Sequence, residues 1–262
     1  MLPGFEYPVY TCITPQTKWT FDVRCLTVSE QDRLLQSSTF GYSLINNINE
    51  VIWKTVVNKP DHIKTYEDFL KNVTVKDREA LMYSILQASD ADEQVFDITC
   101  PRCGNQESIQ VRLSECFSAT IWDGEPGEIL NVKEKVSVEI GKYNVEFTLI
   151  VPTLYREKRI YMYLGNKQIS PILLPLLYSI ELVEFKNKDT NSLEMKAETL
   201  TDIESCIRGL PGKTVKRIRN KLIDTFGKYT MDLRYKYICS SCGFETMQDV
   251  DLLGALFRTI AE

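Results

Sequence analysis

The sequence predicts an α+β protein with an N-terminal helical region, a four-cysteine ribbon split by a long α/β excursion, and a short C-terminal helix. Three observations lead to this prediction. Apolar residues recur at helical spacing within residues 28–90. Two Cys-x-x-Cys-Gly sequences, residues 100–104 and 239–243, each lie between strand-like stretches. The residues between them, 104–238, are far too many for a loop.

These patterns divide the chain into four predicted parts. Residues 1–93 form a strand-plus-helical region, and residues 94–115 and 231–250 form the split ribbon. Residues 116–230 form an inserted α+β domain, and residues 251–262 form an amphipathic terminal helix.

Local signals place the first elements. Residues 21–25 alternate as in a strand. Ser29, followed by acidic residues, predicts a helix start, and Pro60 marks a break between helices. Thr74 with Asp77 three residues later predicts the capping box of a further helix.

The insertion also carries readable signals. A hairpin is predicted to turn at Gly141-Lys142, with helices following near residues 153–165, 200–208 and 213–226. The apolar run Ile169–Val183 is too short for a membrane span and is broken by prolines. It therefore fills the core of the insertion or forms a docking surface for another protein, and we predict no membrane span.

The two Cys-x-x-Cys-Gly sequences carry the sharpest chemical prediction. Two residues between cysteines let one tight turn present both thiolates to the same tetrahedral ion, and the glycine tolerates the left-handed backbone that closes the turn. We predict that Cys100, Cys103, Cys239 and Cys242 hold one structural Zn²⁺. An iron–sulfur cluster and a redox pair are the alternatives, and two matching pairs at strand–strand turns argue against the redox pair.

The remaining composition argues against catalysis. Cys12, Cys25, Cys116 and Cys206 lack partner spacing and are interpreted as core residues. His62 is the only histidine, which argues against histidine-based triads, HExxH metal sites and histidine general bases. The segment before Lys213 lacks the first glycine of a phosphate loop and reads as helix. We therefore predict no enzyme activity and no small-molecule substrate.

Charge bears on the partners. A formal net charge of −5 argues against a surface built wholly for nucleic acid. The segment Arg208–Lys221 nevertheless carries six cations and no acid, which indicates a solvated face or a surface for an anionic partner. Without a signal peptide at the start of the sequence, the cysteines are expected in a reducing compartment.

Three stretches resemble one known family. They are LPGFEYPVY (2–10), FDVRCLTVSEQDRLL (21–35) and VTVKDREALMYSILQASDADEQVFDITCPRCG (73–104). In their order they resemble the baseplate hub proteins and hub-assembly chaperones of T-even-like tailed phages. The resemblance covers residues 1–115 well, and the rest by the return to Cys-x-x-Cys-Gly. The chain departs from the pattern in its long excursion and in lacking a glycine at residues 90–92.

The resemblance implies a structural or assembly protein of a contractile tail that works by binding other tail and baseplate proteins. It implies a location in the host cytoplasm during assembly and in the baseplate of the virion. A hub subunit and a hub-assembly chaperone stay open as alternatives. From the residues alone, a zinc-ribbon nucleic-acid-binding accessory protein is the runner-up, and it requires cations and aromatic residues clustered on the ribbon strands.

Overall fold

The computed structural model describes residues 6–35, 41–165, 167 and 169–258. The first half of the chain begins with a small sheet, continues through four helices and ends in a hairpin. Its elements are β1 (Val9–Ile13), β2 (Thr20–Arg24), α1 (Val28–Leu35), α2 (Tyr42–Thr55), β3 (Val56–Asn58), α3 (Tyr66–Asn72), α4 (Val75–Ala88), β4 (Glu93–Thr99), β5 (Gln106–Arg112), α5 (Leu113–Cys116) and β6 (Phe117–Ala119).

The second half contains the predicted insertion, the second ribbon hairpin and the terminal helix. A 3₁₀ turn (Glu128–Asn131) precedes β7 (Glu134–Ile140), β8 (Tyr143–Leu149), α6 (Leu154–Leu164), α7 (Leu173–Ser179), β9 (Ile180–Asn187), β10 (Leu193–Ala197), α8 (Leu200–Arg208) and α9 (Gly212–Leu222). A π-helical turn (Ile223–Gly227) extends α9 and is followed by β11 (Met231–Ile238), β12 (Glu245–Asp249) and α10 (Leu252–Arg258). The α+β prediction is confirmed.

The strands pair antiparallel throughout the described residues. The sheet orders are β1-β2-β3, β10-β9-β8-β7 and β12-β11-β6, and β4 pairs with β5. The predicted hairpin lies where expected, with β7 and β8 joined at Gly141. Residues 56–58 differ from the predicted helical region, because the β-branched pair Val56-Val57 extends a strand alongside β2. Among the described residues, no helix combines the length and the apolar character needed to cross a membrane.

Three hydrophobic clusters hold the chain together. The first joins the N-terminal sheet and helices and includes Leu256 of α10. Most sides of α4 are buried there, which explains why this helix shows no strong polar face. The second fills the insertion between its sheet and its helices. The third lies between the two ribbon hairpins and includes Cys100 and Cys239.

Helix α4 also fixes the insertion to the N-terminal part. The predicted capping box of Thr74 and Asp77 is present. The buried Asp77 carboxylate accepts further hydrogen bonds from Gln16 N (2.8 Å) and from the Thr17 hydroxyl (2.8 Å). In addition, the backbone N–H of Leu154 donates to the carbonyl of Val73 at 2.9 Å. The start of α4 is therefore a junction of three segments that are distant in sequence.

Candidate metal centre

The structure brings the four predicted cysteines together at the tips of the two ribbon hairpins. Their sulfur atoms all lie within 4.8 Å of one another. Cys100 Sγ is 3.7 Å from Cys242 Sγ, and Cys103 Sγ is 3.6 Å from Cys239 Sγ. These separations are too long for disulfide bonds. Four thiolates at Zn–S bonds of about 2.3 Å around a tetrahedral ion stand about 3.8 Å apart, so the cluster fits this ion.

The two cysteine turns have the same backbone geometry. In the first, Gly104 N donates to Cys100 O at 2.9 Å, and in the second Gly243 N donates to Cys239 O at 3.0 Å. Both glycines are left-handed, with φ values of 73° and 66°. A residue with a side chain would be strained in this left-handed conformation, which explains why a glycine follows the second cysteine of each pair. The repeat in sequence is therefore a repeat in structure.

A tyrosine next to the cluster forms a hydrogen bond that links the two hairpins. The hydroxyl of Tyr237 donates to Glu107 Oε1 at 2.7 Å, and Ser240 N donates to the same oxygen at 3.3 Å. Glu107 thereby fastens the first hairpin to the turn of the second. Burial acts to raise the pKa of Cys239, but the backbone N–H groups of Cys242 and Ser241 lower it to about 6. Within the same cluster the backbone N–H of Asn105 acts to lower the pKa of Cys103, but hydrogen bonding with Cys242 and burial raise it to about 12. The two shifts are opposite because thiols this close together share protons, and a metal would require all four as thiolates.

Chemically, the arrangement could hold one metal ion as a structural centre. Four thiolates would fill the tetrahedral positions around such an ion and leave no position for a water or a substrate. The hairpins on either side are held by the apolar contact of Phe96 with Tyr235, whose ring centroids are 5.5 Å apart. The arrangement therefore suits a rigid scaffold, and both the presence of a metal and its identity stay predictions.

The ribbon surface lacks the features that a nucleic-acid binder needs. Tyr235 and Tyr237 are buried, at 8% and 1% exposure, so neither ring is available to stack on a base. Most of the ribbon cations are paired with acids: Lys236 lies 2.7 Å from Glu245, and three further ion pairs lie nearby. Those pairs are Arg112 with Glu93, Arg112 with Glu115, and Arg234 with Asp232.

The other cysteines and the histidine lie apart from this centre. Burial raises the pKa of Cys12 to about 12, as expected for an unreactive core thiol. Cys25, Cys116 and Cys206 are half-buried. His62 is exposed and rests on the ring of Trp19, with centroids 4.6 Å apart. Helix α8 precedes Lys213, as the sequence predicted, whereas a phosphate loop follows a strand.

The apolar run Ile169–Val183 serves mainly as core. Leu176, Leu177 and Val183 are fully buried in the insertion, whereas Ile172 is 51% exposed. Its helix spans only Leu173–Ser179: Pro171 precedes it, Pro175 lies in its first turn, and strand β9 follows. Most apolar side chains of this run therefore pack in the core of the insertion, which favours the core interpretation over the docking interpretation.

Sequence reasoning missed an exposed apolar surface elsewhere. Tyr10 and Ile13 on the outer strand β1 lie with Phe117 on β6 and Ile121 around a cavity of about 230 Å³. Their exposure runs from 38% to 51%. We call this group the β1/β6 surface. The apolar residues Tyr10 and Ile13 in the strand-like start of the chain were the available signal, but the sequence does not show that β6 lies beside them.

No curated protein and no solved structure is significantly similar to the chain. The model of the family described as T4 bacteriophage base plate protein matches residues 7–258. This match includes both cysteine hairpins, the insertion between them and the N-terminal helices. The chain belongs to the T4 bacteriophage base plate protein family.

Proposed function

We propose that the protein is a structural or assembly component of the hub region of a contractile-tail baseplate and acts by binding other tail proteins. The observation that carries this proposal is the family match over residues 7–258. It supports a role for the whole scaffold, since the match is not confined to one motif. Catalysis forms no part of the proposal.

We further propose that Cys100, Cys103, Cys239 and Cys242 hold one structural Zn²⁺. The sulfur separations and the matched turns support this assignment. The ion would fix the ends of two hairpins that are 135 residues apart in sequence, counting residues 104–238 between them. A structural zinc site of this kind contributes directly to folding.

The proposed division of the chain follows the predicted one, with residues 1–93, 94–115 with 231–250, 116–230 and 251–262 as its parts. Separate hydrophobic clusters in the N-terminal part, the ribbon and the insertion support the first three parts, whereas the terminal helix packs into the first cluster. The shared contacts of α4 and α6 favour an insertion that is packed firmly against the N-terminal part. Such a packed arrangement suits a subunit that must present several surfaces in fixed positions.

The β1/β6 surface supports a protein partner. Tyr10, Ile13, Phe117 and Ile121 place large apolar side chains in water around one groove, and such grouped exposure marks interaction sites. The edges of β1 and β6 border the same groove. We propose that another baseplate protein covers this surface, during assembly in the host cytoplasm and afterwards in the tail.

The runner-up, a zinc-ribbon nucleic-acid binder, has no comparable support. Its required aromatic residues are buried and most of its ribbon cations are paired with acids. A mobility-shift assay at two salt concentrations separates the two functions, because nucleic-acid binding weakens steeply with salt. We expect no shift at either concentration.

The proposed function is tested by purifying the tagged chain from phage-infected cells and identifying copurifying proteins by mass spectrometry. We expect tail and baseplate proteins. Ile13→Asp, at a 51% exposed position, should reduce their recovery at unchanged melting temperature, and Ile223→Asp, at another exposed apolar position, should not. Recovery of no tail protein with the unaltered chain contradicts the proposal.

A further inference from the structure

A groove with a cavity of about 550 Å³ lies between helix α9 and strand β7. One wall carries Lys213, Lys216, Arg217 and Lys221, and the other carries Lys135 and Ser137. These cations are concentrated in one groove although the chain as a whole carries a formal net charge of −5. We call it the α9/β7 groove.

The spacing of the cations puts them on one side of the helix. Lys213, Lys216, Arg217 and Lys221 follow one another at steps of three, one and four residues, which is one face of an α-helix. The opposite face carries Ile218, fully buried in the insertion core. The cationic face is therefore set by the same packing that holds the helix.

Three of these cations have no acidic partner. Among the described residues, no carboxylate forms an ion pair with Lys213, Lys216 or Arg217, and all three are exposed. Lys221 pairs with Glu134 at 2.9 Å at one end of the groove. Unpaired like charges on neighbouring turns repel one another, and an anionic partner would remove this repulsion.

The second wall is the open edge of a sheet. In the order β10-β9-β8-β7, strand β7 has a neighbour on one side, since it pairs with β8 alone among the described strands. Its outward N–H and C=O groups are therefore free to pair with another extended chain. Sheet edges of this kind bind peptides by adding a strand.

We propose that the α9/β7 groove binds an acidic, extended segment of a partner protein, which adds to β7 as a fifth strand. The cationic face from Lys213 to Lys221 covers about 12 Å, the length of about four extended residues. Side chains that alternate along the added strand would direct carboxylates at every second position toward α9. Main-chain pairing supplies the register, and the cations select the acidic side chains.

The groove suits a peptide better than a nucleic acid. None of its described lining side chains is aromatic, so it offers no platform for base stacking. The open strand edge matches the donor and acceptor spacing of a polypeptide.

The identity of the partner as a baseplate protein rests on the proposed function, but the groove is testable without it. The probe is a fluorescein-labelled ten-residue peptide of alternating Thr and Glu, and binding is measured by fluorescence anisotropy at 50 mM salt. We expect saturable binding, at least tenfold weaker for the same peptide with Gln in place of Glu. Equal affinity for the two peptides overturns the proposal.

Backbone pairing is tested with two versions of the probe that are N-methylated at odd or at even positions. Only one set of N–H groups faces β7 in an antiparallel or parallel pair. We expect one version to lose binding at least tenfold and the other to retain it. Retained binding by both versions overturns strand addition. An oligonucleotide of twenty deoxythymidines that binds more tightly than the acidic peptide also overturns the proposal.

Charge-reversal variants locate the site. Lys216→Glu with Arg217→Glu should weaken acidic peptide binding at least tenfold. Lys54→Glu with Lys64→Glu changes the net charge equally at exposed positions elsewhere and should leave binding within twofold. Equal losses in both double variants overturn the site. If the acidic peptide fails to bind while tail proteins still copurify, the groove proposal is wrong and the proposed function stands. If the peptide binds but no tail protein copurifies, the proposed function is wrong and the groove proposal stands.

Discussion

Arg78 and Glu157 form a buried ion pair between the N-terminal helices and the insertion. Nη2 of Arg78 donates to Oε1 of Glu157 at 3.0 Å, and Nη1 donates to Asn49 Oδ1 at 3.2 Å. The two residues are 9% and 2% exposed. Burial acts to lower the pKa of Arg78, but the carboxylate of Glu157 raises it, so the arginine stays charged. The pair joins segments that are 79 residues apart.

Breaking this pair should be costly. Arg78→Met or Glu157→Leu alone leaves an uncompensated buried charge, and we expect each to lower the free energy of unfolding by about 3–5 kcal/mol. The double variant should cost less than either single one, because both charges are gone. Urea unfolding of the three variants measures this. Lys133→Met, in the exposed pair with Glu181, serves as control and should cost less than about 1 kcal/mol.

Metal content tests the cysteine cluster. Purified protein should contain one zinc per chain, and Cys100→Ser or Cys239→Ser should lose the zinc and lower the melting temperature, because a missing thiolate removes folding energy with the metal. Cys206→Ser, at a half-buried cysteine of the insertion, should change neither. Full stability with no zinc in the unaltered protein would reject the site, and iron in its place would favour the cluster alternative.

Acid should weaken the N-terminal part through Glu30. Burial acts to raise the pKa of Glu30, but hydrogen bonds from Arg24 and from Thr27 hold it below its usual value. A lowered folded-state pKa gives stability that is present above the unfolded value of about 4.3 and is lost as pH falls through the folded value.

The corresponding measurement is urea unfolding between pH 6 and pH 3. Glu30→Gln should be less stable than the unaltered chain at pH 6, and its stability should fall less between pH 5 and pH 3. Asp32→Asn, at an exposed position of the same helix, should leave the pH dependence nearly unchanged. Parallel curves for the unaltered chain and Glu30→Gln would refute the role of this carboxylate.

The apolar run offers a matched comparison within one short segment. Leu177 is fully buried and Ile172 is 51% exposed. Leu177→Asp places a carboxylate in the core and should cost several kcal/mol, on the order of 3–5. Ile172→Asp should cost less than about 0.5 kcal/mol. Thermal melts of both variants measure the two losses of stability. Similar small losses in both would contradict the core interpretation of this run.

Local chemistry made several features predictable from sequence. The capping box of Thr74 and Asp77, the hairpin at Gly141 and the two glycine-closed cysteine turns each depend on residues within a few positions of one another. Such features follow from hydrogen bonds and backbone preferences that the neighbouring residues carry. The cysteine spacing also indicated the cluster, because few other uses require two identical turns.

Other features needed the tertiary structure. The apolar run at 169–183 looked equally suited to core and surface, since hydrophobicity does not say which side a neighbouring helix covers. The pairing of Arg78 with Glu157 and the meeting of β1 with β6 join distant segments, and no local pattern encodes such contacts. The basic segment was visible in sequence, but its position beside an open strand edge was not. The sequence by itself therefore determined the locally encoded helices and turns and the family resemblance, whereas long-range packing decided which surfaces remain exposed to bind.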